Sequence, residues 1–198
     1  MFDIYKQINV SKREILDFQE YKNEFSIKIV FLNKLNKMRS REIKIEFKEF
    51  ESIEELSSQD QSLILAAREA ADKAYAPYSR FNVGAAVLLD NNEVILGNNQ
   101  ENADFTDGLC AERVALFYAH AKYPGVAANT IAVTAKNSKG VIIESAQPCG
   151  SCRQVMVETE FRFRKPIRIL LDGKDGIQLL EGADNLLPLA FKPASLDS

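Results

Sequence analysis

The chain has 198 residues, 46% of them hydrophobic and 27% charged, with 25 Lys+Arg against 28 Asp+Glu and a net charge of -3. That length suits one domain whose core needs no disulfide staples, and a mildly acidic balance argues against a polynucleotide partner, which is normally met by a basic surface. No apolar run is long enough to span a membrane and no signal-peptide pattern opens the chain, so a cytoplasmic location without membrane attachment is expected, where free thiols persist.

Residues 1–57 hold 11 basic and 11 acidic residues, leaving 14 and 17 for the remainder. Within this first part, residues 25–31 offer one short apolar run, while the lysine-rich stretch from Lys34 to Arg41 has few apolar anchors. Residues 1–37 show no feature that the later chemistry requires. They are expected to be an N-terminal extension, either poorly ordered or upstream of a true start at Met38, with a partner-binding appendage as the alternative. Residues 38–198 then form the functional domain.

Ile43, Ile45 and Phe47 alternate with charged residues, which predicts a strand over 41–48. Ser57 followed three residues later by Asp60 resembles a helix cap, and the alanine-rich run after it predicts a helix over 59–74, closed before Pro77. Apolar runs at 83–89 and 94–97 flank Asp90-Asn-Asn92 and read as a hairpin. A helix over 110–121, a strand over 131–135, a helix over 149–161 and a strand over 167–171 complete the series. Strands alternating with helices predict an α/β sheet covered by helices. The basic run Phe161-Arg-Phe-Arg-Lys165 is read as a helix end or subunit contact, not a nucleic-acid site.

The three cysteines fall in one pattern: Cys110-Ala-Glu112, then Pro148-Cys149-Gly-Ser-Cys152. Zinc takes thiolates tetrahedrally, and a catalytic site leaves one position for water. Only one histidine is present, His120, ten residues past Cys110; along a helix that is about 15 Å, too far to share a metal with it. An acid two positions after the first ligand suits proton transfer from a metal-activated water, which makes Glu112 the candidate acid-base group. Zinc deaminases carry a His or Cys ligand, then x-Glu, then Pro-Cys-x-x-Cys, and this chain has the all-cysteine form. All three cysteines fall at predicted helix starts, where dipole and free N–H groups favour thiolates. Three thiolates around a dication leave a negative charge, which Arg113 is placed to offset.

Several separated segments resemble the cytidine deaminases in their short, homotetrameric form: Tyr75-Ala-Pro-Tyr-Ser-Arg-Phe81, Val83-Gly-Ala-Ala86, Asn99-Gln-Glu-Asn102, Cys110-Ala-Glu-Arg113, Pro148-Cys-Gly-Ser-Cys-Arg-Gln154 and Leu186-Leu-Pro-Leu-Ala-Phe191. The resemblance runs over about 57–191. It implies a three-layer α/β/α fold with a mixed central sheet of about five strands. It also implies one zinc ion per chain on Cys110, Cys149 and Cys152, with Glu112 as proton shuttle. Phe81 matches the phenylalanine that packs the pyrimidine, and Asn99 and Glu101 match the pair that binds the ribose 3′-hydroxyl. Phe105 and Ala111 fall among the substrate-contacting positions. Phe191 matches an aromatic inserted into a neighbouring subunit's site, so the resemblance implies a homotetramer with shared sites. Many relatives have tyrosine where Phe105 stands, and Asp104 is an uncommon charge there, so fine specificity is expected to differ. The implied activity is hydrolytic deamination of cytidine and 2′-deoxycytidine in pyrimidine salvage. The alternatives are a related zinc deaminase of another aminopyrimidine, such as a blasticidin-type antibiotic, and a non-catalytic zinc-stabilised binding module in which Glu112 closes the coordination sphere.

Overall fold

The computed structural model describes residues 40–145 and 147–196. The expectations for residues 1–37 lie outside the described residues. Within them the elements follow in the order β1 (Lys48–Phe50), α1 (Ser58–Ala71), β2 (Asn82–Leu89), β3 (Val94–Asn98), α2 (Ala111–Lys122), β4 (Ala128–Lys136), α3 (Gly150–Phe163), β5 (Arg168–Gly173) and β6 (Gly176–Glu181).

The strands form one mixed sheet in the order β1-β6-β5-β4-β2-β3. Only β4 and β5 pair in parallel, joined through α3, as a parallel pair needs a crossover; the other neighbours are antiparallel. Leu63, Ile64 and Ala67 of α1 pack on one face with Ala86, Leu88, Ala132 and Leu170. Ala115, Leu116 and Ala119 of α2 and Met156 of α3 pack on the other, against Val87, Ile131, Val133 and Ile169. Helices on both faces make the three-layer α/β/α arrangement.

Two expectations are corrected. The sheet has six strands, not about five, because 176–181 forms a hairpin with β5 across Lys174-Asp175, closed by the pair Gly173↔Gly176. The strand expected over 41–48 is reduced to Lys48–Phe50, whose ladder with β6 runs only from Lys48↔Leu179 to Phe50↔Ile177. Upstream of Lys48 the alternation meets no partner strand among the described residues, and Ile45 and Phe47 remain about half exposed, at 48% and 49%.

The other elements stand within a few residues of their predicted bounds. Ser57 caps α1, its hydroxyl accepting from the Asp60 amide at 3.2 Å and donating to Asp60 Oδ2 at 2.9 Å. The buried Asp60 also receives both Nη atoms of Arg168 at 2.8 Å, and the fully buried Asp172 receives Nε and Nη2 of Arg68 at 2.8 Å and the Thr134 hydroxyl. These paired charges tie α1 to β5 at both ends. Asn92, at φ 65°, takes the left-handed turn of the β2–β3 hairpin.

Candidate active site

Two helix starts meet at the site. Cys110 is the N-cap of α2 and Cys149 that of α3, both in extended conformation and neither making a side-chain cap bond. Cys152, fully buried, lies in the first turn of α3. Cys110 Sγ is 3.8 Å from Cys149 Sγ, Cys149 Sγ is 3.4 Å from Cys152 Sγ, and all three lie within 4.8 Å of one another. Sulfurs about 2.3 Å from a tetrahedral zinc sit about 3.8 Å apart, so this donor set fits the ion with no ligand rearrangement beyond a few tenths of an ångström. Among the described residues, no His, Asp or Glu side chain joins the three cysteines in this cluster.

The electrostatics follow from crowding three thiols. Cys110 is lowered to about 5, first by the hydrogen bond with Cys152, with Arg113 and Cys149 adding to it against burial. Cys152 is pushed up by the same hydrogen bond, by burial and by the Glu112 carboxylate. Arg113 Nη2 lies 3.8 Å from Cys110 Sγ and 3.4 Å from the Gly108 carbonyl, so its charge is aimed at the sulfurs. Glu112 is only 4% exposed; burial drives its carboxyl above the ordinary range, and the charge on Cys110 adds to that.

These groups open into a pocket of about 620 Å³ lined by Phe81, Asn99, Glu101, Phe105, Cys110, Glu112, Arg113 and Cys149, among others. Sequence-predicted residues from four separate segments are therefore brought together. Asn99 and Glu101 are also tied to the wall. Asn99 Oδ1 accepts from the Val83 amide at 2.8 Å and its Nδ2 donates to the Phe81 carbonyl at 2.9 Å, while Glu101 Oε2 accepts from the Tyr78 and Ser79 amides. Both side chains thus shape the segment that presents Phe81. Phe105 is 80% exposed at the rim, edge-on to Tyr78 with centroids 5.8 Å apart. Asp104 turns inward on its own loop, accepting from the Thr106 amide and hydroxyl.

Ala111 is fully buried at the start of α2 and does not line the pocket. Phe191 does not line it either; it is 59% exposed, its carbonyl held by Gln154 Nε2 at 2.7 Å. His120 stands near the far end of α2, 5.5 Å from the Phe163 ring, and takes no part in the cluster. Several contributors were not singled out from sequence. Val133 and Gln147 line the pocket, and Arg153 braces the ligand loop by donating to the Pro148 carbonyl at 2.7 Å and the Leu186 carbonyl at 2.8 Å. Arg153 follows a ligand cysteine directly, which is the one signal that could have flagged it.

A three-layer α/β/α fold that presents three thiols and a buried carboxylate at two helix starts defines a zinc-dependent deaminase. The model of the cytidine and deoxycytidylate deaminase zinc-binding region matches residues 57–165, over half of the chain, and the chain belongs to this family. The cytidine deaminase of Halalkalibacterium halodurans is 48% identical over 100 residues, spanning 50% of this chain and 70% of that protein. That of Mycobacterium tuberculosis is 38% identical over 105 residues, spanning 52% and 74%. The crystal structure of cytidine deaminase from Burkholderia pseudomallei aligns with 66% of this chain and 97% of its own, at a TM-score of 0.56 and 40% identity.

Proposed function

We propose that the protein deaminates cytidine and 2′-deoxycytidine hydrolytically, giving uridine or 2′-deoxyuridine and ammonia. The observation that carries this reading is the three-thiol cluster with the buried Glu112 beside it, both facing a pocket of about 620 Å³ walled by Phe81, Asn99 and Glu101. Zinc held by Cys110, Cys149 and Cys152 would lower the pKa of a coordinated water to about 7 and so supply a nucleophile at neutral pH. Glu112 moves the protons. Its carboxylate takes one proton from the attacking water and passes it to N3 of the pyrimidine, then carries the second to the amine as the C4–N bond breaks. Its burial raises the carboxyl's affinity for that proton, as a group acting as both base and acid requires.

Phe81 offers the base an apolar face, and Asn99 and Glu101 are suited to a sugar hydroxyl while they hold the Phe81 segment. Arg113 offsets the charge of the thiolates. Since the pair assigned to the sugar acts at the 3′ position, both ribose and deoxyribose substrates are accepted. Phe191, exposed and outside its own pocket, supports a homotetramer in which it enters a neighbour's site. No helix among the described residues is long and apolar enough to cross a membrane, and the chemistry of free thiols favours a cytoplasmic setting. The catalytic unit comprises residues 38–198; a chain starting at Met38 retains activity in this reading.

The test is an ultraviolet assay of zinc-loaded protein against cytidine, deoxycytidine, cytosine, adenosine and blasticidin S. Turnover of the two cytidine nucleosides is expected. Turnover of blasticidin S alone would move the assignment to the antibiotic, and turnover of none would sink it.

A further inference from the structure

The first strand leaves an open edge, and the sequence along it is complementary to itself. β1 is the outermost strand of the sheet and is bonded to β6 on one side only among the described residues. Just upstream, residues 41–46 make no backbone hydrogen bond among the described residues, and the stretch from Lys44 to Lys48 is separated from Leu179, Glu181 and Asn185 by an open groove. Ile43 is 52% exposed, and Ile45 and Phe47 nearly as much. Lys44 Nζ pairs with Glu46 Oε1, so these two side chains share one side, as residues two apart do on an extended chain. An unpaired edge of this kind is a template for a further strand.

Two copies related by a two-fold axis perpendicular to the sheet join such edges antiparallel, with each residue facing one equally far on the other side of the axis. With Ile45 on the axis, Lys44 faces Glu46 of the second copy, Glu42 faces Lys48, Arg41 faces Glu49, Ile43 faces Phe47 and Ile45 faces its twin. Every charge meets its opposite and every apolar residue an apolar one. Neighbouring registers lose this match. An axis at Lys44 sets Lys44 against itself and Glu42 against Glu46, and an axis at Glu46 sets Glu46 against itself and Lys44 against Lys48. A shift of two positions sets Ile45 against Arg41 or Glu49. Like charges directly opposite destabilise a strand pair and opposite charges support it, so Ile45 is the favoured centre. Lysine on an edge ordinarily keeps other strands away; here each basic residue meets an acid.

We propose that residues 41–49 form an interface between two copies of this chain, by antiparallel pairing about Ile45. The segment lies outside residues 57–165, the region matched by the family, and involves neither Phe191 nor the pocket at the three thiols. The interface is therefore additional to the shared-site assembly and independent of the deaminase reading. Glu49 serves it while its Oε1 accepts from Gln178, since a carboxylate has a second oxygen to offer.

Cysteine substitutions read the register directly in the full, zinc-loaded chain treated with oxidised glutathione, with wild type as the control for the three native cysteines. Ile45→Cys should give a covalent dimer, because directly opposed residues of an antiparallel pair lie about 4.5–5.5 Å apart at Cα, within disulfide reach. Phe47→Cys alone should not, since its twin lies four positions along, about 13 Å away. Co-expressed with Ile43→Cys, it should link one chain of each kind. Charge reversal tests the same pairing. In the Ile45→Cys background, Lys44→Glu alone and Glu46→Lys alone each set like charges opposite and should lose the cross-link. Co-expressed, the two should regain it and join one chain of each kind by intact mass, although neither chain keeps its own Lys44–Glu46 pair. Absence of a dimer in Ile45→Cys, or equal cross-linking by Phe47→Cys alone, would overturn the proposal. Charge variants that cross-link alone, or fail to do so together, would do the same. Protection of the 44–47 amides from hydrogen exchange in a sample that does not cross-link would assign the edge to another occupant, and the proposal would fall.

Discussion

Gly97→Ala tests whether the position of α2 governs catalysis. A Cβ at Gly97 would lie 2.4 Å from the Ala111 carbonyl oxygen, 2.6 Å from the Ala115 nitrogen and 2.9 Å from the Ala115 Cβ. Ordinary contact begins at 3.4 Å, so the first of these is about 1 Å short. Two of the three atoms are backbone of α2, and Ala111 lies between Cys110 and Glu112. Relief by the helix moves a metal ligand and the proton carrier together. Overpacking of this kind costs about 1–3 kcal/mol, or roughly 2–12 °C in Tm for a chain of this size. A misplacement of about 1 Å at the chemistry costs about 10²-fold in rate. The measurement is kcat/KM for cytidine, with Tm and zinc content on the same sample. Gly125→Ala is the control, because a Cβ there meets nothing within 4 Å. β3 is an edge strand and could give way instead of the helix. A lowered Tm with activity within threefold of wild type would show that the strand yields, and would refute the reasoning.

Glu112→Gln keeps shape and removes the proton carrier, so kcat should fall by at least about 10²–10⁴-fold while zinc stays near one per chain; a fall under tenfold would deny Glu112 its role. Truncation after Leu189 removes Phe191 and should abolish turnover without loss of zinc, and retained activity would argue against a shared site. Asp60 links α1 to pH. Burial raises its pKa, but hydrogen bonds from Arg168 and Ser57 outweigh that and leave it below the ordinary value. A depressed carboxyl adds stability above its unfolded pKa near about 3.9, and that stability is lost as pH falls through the lower folded value. Thermal melts of Asp60→Asn should therefore lie below wild type at pH 7 and converge with it below about pH 4; a constant gap at all pH values would contradict this.

The central elements were legible because their signals are local. Ser57 and Asp60 announce a cap, Asp90-Asn-Asn92 a turn, and the cysteine spacing puts two ligands at helix starts without any knowledge of the sheet. What depends on distant partners was not legible. The alternation of Ile43, Ile45 and Phe47 is as regular as that of a paired strand, but pairing needs a free edge running alongside, and the ladder with β6 ends at Lys48. β6 itself was missed because a short apolar run such as Ile177-Gln-Leu-Leu180 does not by itself distinguish strand from helix. For Asn99 and Glu101 the residue types suggested a sugar contact, yet their bonds to the 78–83 backbone appear only once β3 is laid beside that segment. Gln147 carried no signal at all, since its side chain is bonded to Gln178 on β6, the strand that was missed.

The same helix starts that hold the site predict how the metal contributes to stability. N-cap positions favour Ser, Thr, Asp or Asn, whose side chains satisfy a free amide, and an unfavourable residue there costs about 0.5–2 kcal/mol. Ser57 does this for α1, but Cys110 and Cys149 give α2 and α3 no side-chain cap bond. Two of the three α-helices among the described residues are therefore left incompletely capped in favour of the ligand set, and three thiols are crowded within 4.8 Å. Zinc binding compensates for both features, since it locks the two helix starts together and removes the competition for protons among the sulfurs. Free zinc at about 1,000 times its dissociation constant would stabilise the fold by about 4.1 kcal/mol, equivalent to about 8–16 °C for a chain of this length. Chelated and zinc-loaded samples compared by calorimetry at pH 7 should differ by that amount. Cys149→Ser, which loses one ligand and gains a hydroxyl cap, should melt nearer the chelated wild type and respond little to zinc. Coincident melts of chelated and loaded wild type would mean that the helix starts are held by the sheet alone.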